Sequence, residues 1–203
     1  MEMGLLTNLI EEGNNWDISI SADDDLTGKN DADTGFRIYH ASKILAHQAS
    51  RDFVQREKPG FTLISLHPAF VYGHNPLQKT ADEVKSGTNG MLWAGIMVEG
   101  APNVLTWVNV EDVADAHVLA LDPKHDTDQS YLIAGQPSAK WEDVLDIVKA
   151  DYPHLPYKLK ADPNRKVTFV DASKAEKDLG IKWRSLKQTV HEVVDQQLGF
   201  LTK

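Results

Sequence analysis

Tyr39-His40-Ala41-Ser42-Lys43 opens a stretch in which Ile44, Leu45, Ala49, Phe53 and Val54 recur at helical spacing until Pro59-Gly60 stops the pattern. Four residues are just over one helical turn, so the phenol and the ammonium project from one face. That geometry suits acid-base work: an isolated phenol keeps its proton to about pH 10, and a neighbouring ammonium favours the phenolate. The alternative is a helix end with one exposed aromatic and one solvated lysine, and the pair by itself does not decide between them.

The flanks of this helix set the fold class. Residues 11–37 are rich in Asp, Asn, Gly, Ser and Thr, including Asp23-Asp24-Asp25, and read as a solvated connection, so 1–38 is expected to be irregular. After the helix, Phe61 to Leu66 reads as a short buried strand that exits through His67-Pro68. Residues 74–90 are polar and broken by Pro76, Gly87 and Gly90; a helix follows over 91–98, and a strand over 104–108. A helix over 111–121, ended by Asp122-Pro123, a strand over 131–135, a helix over 141–150 and a strand over 167–170 continue the alternation. Two helices close the chain, 172–179 with Gly180 as its cap and 186–198. Strands alternating with helices over short loops predict an α/β architecture with a parallel sheet, taken as one unit over 39–203.

The bulk numbers narrow the function. At 203 residues, 41% hydrophobic and 25% charged, the chain has the composition of an ordinary globular domain. A net charge of −9 argues against a nucleic-acid partner, since such partners need clustered Lys and Arg. No cysteine is present, which excludes disulfides, thiol nucleophiles and thiolate metal sites. The helical stretch His191-Glu192-Val193-Val194-Asp195 ends in Asp where a zinc helix needs its second His, so no metal is expected. Met1 to Ile10 lacks a basic flank and is closed by Glu11-Glu12, which fits neither a signal peptide nor a membrane span; a cytoplasmic setting is expected.

Five segments occur in an order that carries more than any one of them. Asn15-Trp16-Asp17, Tyr39-x-x-x-Lys43, His67-Pro68-Ala69-Phe70-Val71-Tyr72-Gly73, Val108-Asn109-Val110-Glu111-Asp112-Val113-Ala114-Asp115-Ala116-His117, and Asp171-x-Ser173-Lys174-x-x-x-x-Leu179-Gly180 followed by Leu186 together resemble the extended branch of the short-chain dehydrogenase/reductase superfamily, the NAD-dependent epimerase/dehydratases. Within it the likeness is to dihydroflavonol-reductase-like ketone and aldehyde reductases, from about Trp16 to the C-terminus. The resemblance implies the C-terminal portion of a Rossmann-type doubly wound parallel sheet with a small substrate-binding subdomain. It also implies NADP(H) or NAD(H) as cofactor and a small ketone or aldehyde as substrate. Tyr39 would pass a proton to the carbonyl oxygen and Lys43 would hold the nicotinamide ribose. Pro68, Ala69, Phe70 and Val71 would border the nicotinamide, and Tyr72, His74, Met91 and Trp93 would line the substrate pocket.

The sequence also departs from that family. Its glycine-rich pyrophosphate turn is absent from these residues: Gly87, Gly90 and Gly95 have neither the spacing nor a preceding strand in a βαβ unit. No residue matches its catalytic Ser or Thr. Ala69 stands where Gly is usual, and Asn109 and Glu111, where Asp and Arg are usual, are expected to change only surface polarity. The expectation is therefore an incomplete reductase, weak or inactive alone. Its exposed sheet edge, together with the apolar face of Ile44, Leu45, Phe53 and Val54, would favour self-association or pairing with a second chain. A non-catalytic scaffold derived from the same fold, and a nucleotide-sugar epimerase or dehydratase sharing the Tyr/Lys pair, are the alternatives.

Overall fold

The computed structural model describes residues 7–10, 32–100, 104–165 and 167–201, so Asn15-Trp16-Asp17 lies outside the described residues. In chain order they form β1 (Thr7–Ile10), α1 (Ala32–Glu57), β2 (Ile64–Pro68), β3 (Val71–Tyr72), a 3-10 turn (Ala81–Ser86), α2 (Thr88–Met97), β4 (Val108–Asn109), α3 (Val110–Leu119), β5 (Gln129–Ile133), α4 (Trp141–Asp151), β6 (Val167–Val170), α5 (Ser173–Leu179) and α6 (Leu186–Leu201). No helix among the described residues is long and apolar enough to cross a membrane.

All described strand pairs are parallel. β1 pairs with β6, β3 with β4, and β2 with β5 in the register Ile64 to Gln129 through Pro68 to Ile133. The segment from β2 to β3 changes neighbours at its middle. Proline cannot donate to a ladder, and just past Pro68 the Ala69 N–H still donates to Ile133 O at 2.9 Å while Phe70 O accepts from Val108 N at 3.0 Å. One stretch of chain thus lies along β5 first and β4 next. Gly135 N donates to Trp107 O at 2.7 Å and draws the two neighbours together.

The sequence placed these elements closely except in three places. α1 begins at Ala32 rather than Tyr39, and β1 occupies Thr7–Ile10, so the expected irregular segment 1–38 contains a strand and one end of a helix. The strand expected over 104–108 shrinks to Val108–Asn109, because the preceding residues serve packing: Leu105 and Trp107 are buried. The polar stretch 74–90 contains the 3-10 turn, which Gly90 allows to approach α2; a Cβ there would stand 2.5 Å from Val84 O.

Three apolar clusters occur among the described residues, the smallest around Leu132, Ala134, Val170 and Ala172, and two of them carry most of the packing. In the larger, α2, α4 and α6 meet around Trp107 and Trp141, with Leu92, Ile96, Val144, Val148, Val190, Val193 and Val194 buried. α4 faces this cluster because Trp141, Val144, Leu145 and Val148 repeat at helical spacing. Gly95 makes the closest approach: a Cβ at that position would lie 2.2 Å from the Trp141 ring. In the smaller cluster α3 and α5 cover β5 through Ala116, Tyr131, Ile133, Ala175 and Leu179. α5 ends where Gly180 adopts φ 76°, the left-handed cap that the sequence indicated.

Candidate active site

Tyr39 and Lys43 stand on one face of α1, with the Lys43 Nζ 5.4 Å from the centre of the Tyr39 ring. Ser42 Oγ donates to Tyr39 O at 2.7 Å. Tyr39 is 56% exposed, so water reaches the phenol freely. The pair can present an acidic O–H and a cation side by side to a ligand laid across the helix.

Of the strand-exit residues, Pro68 is exposed and Ala69 is half-buried with its N–H committed to Ile133. Phe70 packs against the larger cluster and stacks on Tyr72, ring centres 6.5 Å apart. Val71 O accepts from Thr88 Oγ1. Tyr72 is buried, and that burial raises its phenol above the ordinary range. Val71, Tyr72, Gly73 and His74 border a half-open hollow of about 210 Å³ that Val84 and Thr88 also line. Trp93 instead packs against the larger cluster, and Met91 is half-buried outside this hollow. The structure therefore gathers Val71 and Tyr72 with His74, and leaves Pro68, Ala69, Phe70, Met91, Trp93, Tyr39 and Lys43 off the hollow's wall.

The loop after the strand exit is gripped through its backbone. Asn89 accepts from Gly73 N at 3.1 Å and donates to Gly73 O at 2.6 Å. Gln196 does the same for Asn75, accepting from its N at 3.0 Å and donating to its O at 2.7 Å. Glu192 Oε2 accepts from His74 N at 3.3 Å and from Asn109 Nδ2 at 3.0 Å. Gly73 sits at φ 138°, a conformation that disfavours any other residue, and a Cβ there would stand 2.9 Å from Glu192 Oε2.

Asn109 corrects an expectation. It is fully buried rather than a surface substitution, caps α3 by accepting from Glu111 N at 2.9 Å, and donates to Thr189 Oγ1 at 3.1 Å as well as to Glu192. An amide suits that place because an aspartate would oppose the Glu192 carboxylate. Glu111 also does more than alter polarity, pairing with Arg184 at 2.7 Å.

Arg184 is the residue that sequence reading missed. Its guanidinium bridges Asp112 at 2.6 Å and Asp115 at 2.9 Å, tying α3 to the segment ahead of α6. Asp112 is fully buried; burial pushes its carboxyl up from the ordinary range, and the hydrogen bonds from Arg184 pull against that push. The signal available was Asp112 and Asp115 about one helical turn apart, with Asp112 on the buried stripe of the helix beside Ala116, where a carboxylate requires a cation from elsewhere.

Beside β2 lies a wider open cleft of about 1480 Å³ between the C-terminal half of α1 and the starts of β2 and β5, bordered by Ile44, His47, Arg51, Val54, Leu63 and Asp128. Among the described residues β2 pairs with β5 alone, and residues of both strands line this cleft. His47 and His67 meet edge to face, ring centres 4.7 Å apart, and burial lowers His67 to about 4. Neither Tyr39 nor Lys43 borders the cleft. Among the described residues no three His, Asp or Glu side chains converge as a metal site. Of the glycines weighed for a pyrophosphate turn, Gly90 packs against the 3-10 turn and Gly95 against Trp141, while a Cβ at Gly87 would meet open space.

Parallel strands alternating with helices give the chain a Rossmann-type α/β fold, with a Tyr/Lys pair one turn apart on an exposed helix face. No family model matches the chain. It is 41% identical over 197 residues to the ketoreductase sphI of Aspergillus fumigatus, covering 95% of this chain and 59% of that protein. It is 30% identical over 178 residues to the NADPH-dependent methylglyoxal reductase GRE2 of Saccharomyces cerevisiae, covering 80% and 51%. Among solved structures, Gre2 of Candida albicans in complex with NADPH superposes with a TM-score of 0.67 at 24% identity, over 97% of this chain and 61% of the other. Vestitone reductase from alfalfa gives 0.68 at 19%, over 96% and 60%. The chain is thus similar in sequence to ketoreductases and to an NADPH-dependent methylglyoxal reductase, and in fold to the Rossmann-type reductases of the short-chain dehydrogenase/reductase superfamily. It spans between half and three fifths of the length of these relatives.

Proposed function

We propose that this chain is the catalytic-helix and substrate-side part of an NADPH-dependent reductase of small ketones or aldehydes. The observation that carries this reading is the placement of Lys43 over the Tyr39 ring in a chain 41% identical to a ketoreductase. Bound NADPH would supply the hydride. Tyr39 holds a proton at its phenol oxygen for the carbonyl oxygen of the substrate, and Lys43 keeps a cation beside that phenol and offers N–H donors to the nicotinamide ribose. The backbone of Pro68 to Val71 borders the nicotinamide, and Tyr72 and His74 face the substrate. The sequence has no glycine-rich turn for the ADP half of the cofactor: Gly90 and Gly95 are taken up in packing, and Gly87 lacks the spacing such a turn needs. That half is proposed to rest on residues beyond these 203, with the cleft beside β2 as the place where they meet this chain. The absence of cysteine fits a reducing, cytoplasmic setting.

Two measurements test the reading. A fluorescence titration of the 203-residue chain with NADPH is expected to show no binding in the micromolar range; saturable micromolar binding with carbonyl turnover would refute the missing cradle. Joining this chain behind the unmatched N-terminal portion of the Aspergillus ketoreductase is expected to yield carbonyl-dependent NADPH oxidation, abolished by Tyr39→Phe. A folded chimera without that activity would overturn the reductase reading. The cleft favours one second reading, a non-catalytic protein that pairs through β2 with another chain. Light scattering that finds a monodisperse monomer at every concentration counts against it.

A further inference from the structure

Asn89-Gly90 lies in the first turn of α2, and this pair of residues has a reaction of its own. In water the backbone nitrogen of the residue after an asparagine can attack the side-chain amide carbon, and glycine, having no Cβ, shields its nitrogen least and reaches the needed backbone conformation most readily. The N–Cγ bond forms as the Cγ–Nδ2 bond breaks, and ammonia leaves with the backbone proton. Water then opens the cyclic imide at either carbonyl, which gives an aspartyl or an isoaspartyl residue.

The fold restrains each group that takes part. Asn89 Oδ1 accepts from Gly73 N at 3.1 Å and Nδ2 donates to Gly73 O at 2.6 Å, so both ends of the amide are engaged with the strand exit. Gly90 N donates to Gly87 O at 3.0 Å, a bond outside the i to i−4 ladder, because the first N–H groups of a helix have no partner there. Gly90 also presses on the 3-10 turn, where a Cβ would meet Val84 O at 2.5 Å, so it has little room to rotate until that turn gives way. The restraint is local: three hydrogen bonds around a half-buried side chain on the wall of the half-open hollow, beside an exposed loop in which Leu77 is 81% exposed. Opening on that scale is an ordinary fluctuation of a folded chain. Conversion would change what residue 89 does for Gly73. A carboxylate only accepts, so it can keep the Gly73 N–H but sets an anion against Gly73 O, on which Nδ2 donated. Glu192 Oε2 already stands close to Gly73, 2.9 Å from where a Cβ would be, and the new charge adds to that one.

We propose that Asn89 is a modification site: it converts to aspartate or isoaspartate through an imide with Gly90 when the strand-exit loop opens, and the conversion releases the loop 73–75. The reaction draws only on water and the chain's own atoms, and it stands apart from the reductase reading. Because it runs one way, the extent of conversion records how often the loop has opened.

The test ages the 203-residue chain at mildly alkaline pH and follows residue 89 by peptide mass mapping, which detects an acid in place of the amide, and by enzymatic methylation of isoaspartyl groups. In native buffer conversion is expected to run about tenfold more slowly than in denaturing urea, the protection that two neutral hydrogen bonds supply. Gln196→Ala, which frees Asn75 without touching Asn89 or Gly90, is expected to speed native conversion about threefold. The converted chain, separated by ion exchange, should show faster hydrogen exchange at the Gly73 and His74 amides and unchanged exchange in α4. Three results would overturn the assignment: equal rates in native buffer and urea, no conversion in native buffer while the unfolded chain converts, or a folded Gln196 variant that converts no faster than the parent. A converted chain whose Gly73 and His74 amides exchange as before would overturn the release of the loop. If Gln196→Ala fails to fold, Gln196→Glu, which keeps the acceptor for Asn75 N and removes the donor to Asn75 O, replaces it. No NADPH or carbonyl compound enters the measurement, so its failure removes the Asn89 assignment alone, whereas a folded, inactive chimera removes the reductase reading alone.

Discussion

Among the described side chains of α1, 26 residues long, only Ala41 is buried, whereas α6, 16 residues long, buries Thr189, Val190, Val193, Val194 and Gln197. The first helix carries the Tyr/Lys pair and little packing. The second carries no recognisable motif and holds the loop 73–75, the cap of α3 and the larger apolar cluster together. The residues proposed for chemistry and those that hold the molecule in shape thus occupy different helices. The apolar face of α1, with Phe53 43% exposed and Ile44 and Val54 on the cleft, has no core packed beneath it among the described residues.

The sharpest way to break this contrast is to truncate an aromatic in each region. Trp141→Ala is expected to lower unfolding stability by about 3–5 kcal/mol in urea titrations, as for other buried large side chains, and a loss under about 1 kcal/mol would mean that the α2, α4, α6 cluster is not the core.

Arg184→Met comes next, at about 3 kcal/mol near neutral pH, since it leaves Asp112 buried without its cation. Asp112 already lies above its unfolded range, and losing Arg184 raises it further. A carboxyl raised in this way binds its proton more tightly folded than unfolded, so its contribution weakens the fold as pH rises. The gap between the variant and the parent should therefore widen upward from about pH 4 and narrow in acid, where Asp112 is neutral. A gap independent of pH would show that Arg184 acts through packing alone.

Asn109→Asp should cost about 1–2 kcal/mol by setting two carboxylates together, and adding Glu192→Gln should recover most of it in a double-mutant cycle. Additive losses would mean that the 3.0 Å contact carries no coupling. At the small end, Phe53→Ala is expected to change stability by less than about 0.5 kcal/mol, within the range of surface substitutions, and a loss like that of Trp141→Ala would give α1 a core after all.

Much of the C-terminal region was legible because its signals are local. The strand 167–170 and the helices ending at Gly180 and starting at Leu186 fall where periodicity and capping placed them. What was not legible depends on partners distant in sequence. That β2 pairs with β5, and that its continuation β3 turns to β4, follows from which elements come together in space, not from the strands' own residues. Asn109 read as a surface change because nothing near it in the chain announces Glu192, 83 residues later. Arg184 lies 72 residues from Asp112 and in no motif. Of the candidate site, the Tyr39 and Lys43 geometry was readable from spacing, while the grip of Asn89 on both ends of Gly73 becomes visible only when its surroundings are counted atom by atom.

The fit between Gly95 and Trp141 bears on inheritance. With 2.2 Å between a would-be methyl and the indole, neither position can drift alone: an alanine at 95 needs a smaller ring at 141, and restoring the indole needs the glycine back. Descendants of this gene should keep both residues or exchange both, so the two codons behave as one unit of selection although 46 positions separate them along the chain.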